Sequence, residues 1–159
     1  MKMSNMRRSE DTEQMHVCNW AEWNKNRYPE LRWLYHVPNG GSRNKAEAAK
    51  LKAMGVKSGV SDLCLPYAKG VYIGLYIEMK YDKGRVQDTQ VEFLRDMAAS
   101  GHYVAICYTA ADAIDVIERY LALGDTMEML EDNDSVWKEG KVTKLKRREK
   151  KTWTENDRA

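Results

Sequence analysis

Asp62, Glu78 and Lys80 stand in a stretch, VSDLCLPYAKGVYIGLYIEMK at residues 60–80, that otherwise reads as two apolar strands around a turn. Charges in such company cost free energy unless a partner or a metal ion compensates them. Successive strand residues face opposite sides, so Glu78 and Lys80 project from one face, with β-carbons roughly 7 Å apart, while Met79 points the other way. If the strands pair about a turn centred on Gly70, Asp62 falls opposite Glu78. Two carboxylates facing each other destabilise a sheet. A divalent cation between them reverses that penalty, and Mg²⁺ in particular takes one or two carboxylates and leaves its other positions to water and phosphate.

A hard cation held by Asp62 and Glu78 would polarise a phosphodiester, lower the pKa of a bound water and stabilise the leaving oxygen. Lys80 beside it would orient that water, or neutralise charge growing on the phosphate. A partly desolvated lysine next to a cation also gives up its proton more readily, which allows a general-base role. The spacing leaves these roles open.

The elements that must position these groups follow from pattern and punctuation. Val17, Cys18, Trp20, Ala21 and Trp23 recur at helical spacing over residues 10–26, and Pro29 ends that helix. LRWLYHV reads as a short strand stopped by PNGGS, and NKAEAAKLKAM as a helix with Gly55 at its C-terminal cap. Strands over 60–65 and 71–80 are joined through PYAKG as a hairpin. DTQVEFLRDMAASG follows as a helix, with Thr89 and Glu92 matching a capping box. HYVAICYT has the continuous apolar character of a strand covered on both faces. Thr109 opens a last helix with a buried stripe of Ala113, Ile117, Tyr120 and Leu121, ending at Gly124.

At 159 residues, 43% apolar and 31% charged, the composition fits one globular domain with appendages: a flexible N-terminus over 1–9, a domain over 10–124 and an extension over 125–159. No apolar run approaches the roughly 20 residues that a membrane helix requires, and the basic N-terminus lacks the apolar segment of a secretory signal. A cytoplasmic location is the expectation. Cys18, Cys64 and Cys107 are odd in number and lie in apolar segments, as reduced thiols would, and no Cys/His cluster suggests zinc. The net charge of +2 conceals an uneven distribution: residues 138–151 hold eight basic and two acidic residues, leaving −4 on the rest of the chain. That tail is a candidate polyanion contact.

Four blocks in order, HVPNGGSR, GVKSGVSDLCLP, GLYIEMKYDKGRVQDTQVEFL and GHYVAICYTAADAIDVI, resemble the VRR-NUC family of small viral and bacterial nucleases, within the PD-(D/E)XK superfamily. The resemblance covers roughly residues 10–121. It implies an α/β, restriction-endonuclease-like core in αβββαβ order: an antiparallel meander plus a further strand, flanked by helices. It implies that Asp62 and Glu78 bind Mg²⁺ or Mn²⁺ with the carbonyl of Met79, that Lys80 is the catalytic lysine, and that Gln90 positions water or phosphate. Ser61 stands where the family has a proline; proline stiffens the backbone and brings no chemistry. A further acidic ligand from the first helix is common in the superfamily. Glu13 or Glu10 would supply it, and Glu13, one turn before Val17, is preferred.

The resemblance makes the chain a metal-dependent endonuclease acting on DNA, selective for branched or junction structures in replication, repair or recombination, and a homodimer by analogy with junction resolvases. The rival readings are a DNA-binding accessory protein without turnover and a restriction-like enzyme that recognises a short sequence. Residues 42–57 hold five basic residues and one acid, so Arg43, Lys45, Lys50 and Lys52 are candidate phosphate contacts, as are Lys144, Lys146, Arg147 and Arg148 in the tail. The NGG turn offers backbone amides to a phosphate. His36 reads as a hydrogen-bonded structural residue rather than a catalytic one. Trp20, Trp23 and Trp33 read as core rather than as platforms for bases.

Overall fold

The computed structural model describes residues 7–39 and 43–125 of the chain. α1 (Glu10–Asn24) starts at Ser9, whose hydroxyl accepts the Thr12 N–H at 3.2 Å, and its first turn carries Glu10, Asp11 and Glu13, the sign of charge that a helix N-terminus favours. The segment expected to be a strand from Leu31 is instead a 3₁₀ helix over Pro29–Trp33. Pro29 at its start has φ already set for a helical turn and no N–H to leave unpaired. Only Tyr35–His36 remain as strand β1. α2 (Lys45–Ala53) is capped by Asn44 and buries none of its residues.

β2 (Leu63–Leu65) and β3 (Leu75–Met79) pair antiparallel, with Leu63 opposite Ile77 and Leu65 opposite Leu75. This is the register of a hairpin centred on Gly70, although the paired strands are shorter than the apolar runs that contain them. α3 (Asp88–Ala99) carries the chain across to β4 (Tyr103–Cys107), which lies parallel to β3, and α4 (Ala110–Ala122) ends the described domain. The sheet order is β1-β2-β3-β4, an antiparallel meander with one parallel strand added. This is the α/β order expected from the sequence. No described helix is long and apolar enough to cross a membrane.

Strand alternation divides the core in two. Leu75, Ile77 and Met79 of β3 join Val17 and Ala21 of α1 and Val116, Ile117 and Tyr120 of α4. Tyr76 packs with Leu94, Ala98, Val104 and Ile106 on the other side, where α3 lies. Glu78 and Lys80 share the parity of Tyr76 and so belong to that second side. The Tyr120 hydroxyl donates to the Tyr67 carbonyl at 2.6 Å, which ties α4 to the β2–β3 loop. Cys18, Cys64 and Cys107 form no disulfide.

Two expectations about packing change. The tryptophans do not all join the core: Trp20 is half-buried against it, but Trp23 is 83% and Trp33 55% exposed, with the Arg32 guanidinium 5.0 Å above the Trp33 ring. The α3 cap is Gln87, not Thr89, and its partner three residues on is Gln90, whose Oε1 accepts the Gln87 N–H at 2.9 Å. Thr89 is also the residue that Gly59 approaches. Gly59 has φ +87, and a β-carbon there would sit 2.5 Å from the Thr89 carbonyl oxygen, so the loop leading to Asp62 is pressed against the start of α3. Gly59→Ala is expected to lose about 1–3 kcal/mol of stability, measured as a lower urea midpoint at unchanged slope.

Candidate active site

Glu78 lies at the centre of the site and is 1% exposed. Its Oε1 accepts from Lys80 Nζ at 2.8 Å and from Gln90 Nε2 at 2.5 Å. Gln90 is held at both ends, because its oxygen serves the α3 cap while its nitrogen serves the carboxylate, and the two bonds together fix which way the amide faces. Glu78 Oε2 is buried and has no hydrogen-bond partner. Asp62 sits one residue before β2, and its Oδ2 accepts the Met79 N–H at 2.7 Å. A carboxylate oxygen each from Glu10, Asp62 and Glu78 lie within 4.8 Å of one another. Lys80 Nζ is also 3.6 Å from Glu10 Oε1.

The first helix therefore brings Glu10 to the cluster, where the sequence favours Glu13. Glu13 is buried and serves the scaffold instead, since its Oε2 accepts the Ala110 N–H at the start of α4 at 2.7 Å and its Oε1 pairs with Arg8 at 2.8 Å. A carboxylate at a helix N-terminus, with an arginine on its other oxygen, has its charge fully compensated. The two acids lie three positions apart on one helix, so spacing alone does not separate them; the amide of α4 that needs an acceptor does.

The electrostatics follow from burial. Desolvation pushes the Glu78 carboxyl up to about 7, with the charge of Asp62 adding to it and Lys80 opposing. Burial likewise raises Asp62, against the Met79 N–H and Lys80, and raises Glu10, against Lys80. For Lys80, burial favours the neutral amine, but the hydrogen bond and charge of Glu78, with Glu10 and Asp62, outweigh it, and its pKa lies above the ordinary value. Three converging acids, one with a buried oxygen lacking any donor, suit a hard divalent cation, which takes carboxylate oxygens directly.

An open cleft of about 1010 Å³, lined by Arg7, Arg8, Glu10, Met15, Tyr81 and Asp82 among others, runs along the N-terminus of α1 and reaches the cluster at Glu10. Of the candidate phosphate contacts, Lys45, Lys50 and Lys52 are exposed on α2, while Arg43 donates to the Pro38 carbonyl at 2.8 Å. Lys144, Lys146, Arg147 and Arg148 lie outside the described residues, as do Gly40 and Gly41 of the NGG turn.

The VRR-NUC domain model matches residues 3–111. The chain belongs to the VRR-NUC family. Among solved structures, one titled "VRR_NUC domain protein" aligns with a TM-score of 0.65 and 32% identity, over 78% of this chain and 99% of the other. No curated protein matches the chain. The VRR-NUC domain makes this a nuclease-type fold of the PD-(D/E)XK superfamily.

Two outcomes test the electrostatics of this VRR-NUC domain. A carboxyl whose pKa is higher folded than unfolded contributes stability that is full below its unfolded value and lost as pH rises through the folded one. For Glu78 the window runs from 4.5 to about 7, and Asp62 and Glu10 shift in the same direction. In EDTA the melting temperature should therefore fall between those pH values, and Glu78→Gln should flatten the slope; equal slopes in the two proteins would contradict the assignment. Glu13→Ala, which strands a buried N–H, should cost about 1–3 kcal/mol in chemical denaturation.

Proposed function

We propose that this VRR-NUC protein is a divalent-metal-dependent endonuclease that hydrolyses phosphodiester bonds of branched or junction DNA. The observation that carries the reading is the buried, partnerless Oε2 of Glu78 among converging oxygens of Asp62 and Glu10, with the Lys80 ammonium at 2.8 Å on the other side of the same carboxylate. Leaving such an atom bare is costly in a fold that exists only for packing.

Asp62, Glu78 and Glu10 would hold Mg²⁺ or Mn²⁺, with the carbonyl of Met79 as the main-chain candidate. When bound, the ion acts as a Lewis acid on the phosphate and lowers the pKa of a water. The chain's own residues supply the rest. Gln90 and Lys80 both occupy Glu78 Oε1, which keeps Oε2 free for the ion. Lys80 would present a proton donor to the phosphate oxygens as negative charge grows on them, or orient the attacking water. Both charge neutralisation and general-base catalysis are open to it, because a cation bound to Glu78, Glu10 and Asp62 would offset the charges that raise its pKa.

Substrate contacts would fall on the exposed lysines of α2 and on Arg7 in the cleft at the start of α1, groups that grip backbone phosphate rather than read bases. The basic residues of the tail would add to that grip. Contacts of this kind read no sequence, so selectivity would be for DNA structure, and cutting two strands of a junction calls for two active sites, hence a homodimer.

The test is cleavage of labelled linear, nicked, flapped and four-way DNA with Mg²⁺, with Mn²⁺ and with EDTA. Cutting should require the metal, favour the branched substrates and fall by about 10²–10³ in kcat on Lys80→Ala. Glu10→Gln should raise the metal concentration needed for half-maximal rate. Binding without cutting would make the protein an accessory factor, and cutting of plain duplex at one sequence would make it restriction-like.

A further inference from the structure

We propose that His36 is a positioning residue for Asp62, acting through a clasp that the HVPN segment closes around residues 60–62. Asp62 needs such a device. The β2–β3 ladder ends at Leu63 opposite Ile77, so no strand pairing with β3 fixes the Asp62 backbone. Ser61 occupies the position where the family has a proline, so the ring that would stiffen the chain is missing.

The opposite neighbour supplies the restraint. The Asp62 carbonyl accepts two hydrogen bonds, from the Val37 N–H at 2.8 Å and from His36 Nδ1 at 2.8 Å. Two residues back, the Val60 carbonyl accepts from Asn39 Nδ2 at 2.9 Å. A carbonyl oxygen can only accept, so His36 must carry its hydrogen on Nδ1, and the neutral ring is fixed in that tautomer. His36 and Leu63 are also partners across β1 and β2, which sets the ring beside Asp62. The clasp holds Asp62 from one side while the Met79 N–H holds its carboxylate from the other, 2.7 Å away. Together they fix the side chain relative to Glu78 before any ion arrives.

This inference rests on the reading of Asp62 as an ion ligand, and the experiment separates the two. Mn²⁺ binding to the full-length protein is measured by calorimetry for wild type, Asp62→Asn, His36→Ala and His36→Asn. Loss of a group that orients a ligand weakens metal binding by about 10-fold or more, and that is the expectation for His36→Ala. Asparagine places a donor nitrogen where Nδ1 stood, so His36→Asn should recover most of the affinity; a packing role alone would lower the melting temperature without this pattern. If wild type binds Mn²⁺ and Asp62→Asn abolishes it, while His36→Ala binds as wild type does, the clasp is wrong and the metal site stands. If wild type fails to bind, or Asp62→Asn binds equally well, both fall. A long-range ¹H–¹⁵N spectrum of wild type at pH 8 needs no variant: Nδ1 should carry the hydrogen, and a ring protonated only at Nε2 overturns the clasp.

Discussion

A carboxylate inside a protein must be hydrogen-bonded, paired or protonated, and Glu78 is only half provided for. One oxygen has two donors and the other has none, although the residue is sealed from solvent. Desolvation raises its pKa to about 7 even with the Lys80 ammonium on one oxygen. The surroundings are arranged around that imbalance. Lys80 follows two residues along the chain, Gln90 reaches in from the start of α3, and Asp62 and Glu10 come from a loop and a helix end. Each lies at a terminus of a regular element, where backbone groups are least committed to secondary structure.

Much of this was legible because strands impose simple arithmetic. Period two places Glu78 and Lys80 together, and a hairpin centred on Gly70 places Asp62 across from them, whatever the rest of the chain does. The ladder stops one residue short of Asp62, and its carboxylate reaches the Met79 amide instead, but the neighbourhood is the one the sequence implies. The succession helix, strand, helix, strand, strand, helix, strand, helix was equally readable, since Gly and Pro punctuate it and the apolar runs have distinct periods; the αβββαβ core was implied by the family resemblance.

What was hidden depended on partners far away in sequence. Glu10 and Glu13 look alike until α4 arrives with an N–H that only Glu13 can reach. Trp23 and Trp33 have the spacing of buried residues, yet helical spacing says which residues share a face and not whether anything covers it. Pro29 turned a strand-like apolar run into a 3₁₀ helix, which left β1 with two residues. The capping partner of α3 lies two positions from where Thr89 and Glu92 suggest, because the Gln90 side chain accepts the Gln87 N–H and so fixes the helix start there.

Helix α1 touches the carboxylate cluster through Glu10 and the last helix through Glu13, less than one turn away. The seating of α4 therefore sets the position of Glu10 relative to Asp62 and Glu78. A substitution on the far helix that never approaches this cluster would tilt α1 and spread the three oxygens, so damage to the scaffold would be felt in the spacing of the carboxylates before any part of the protein unfolded.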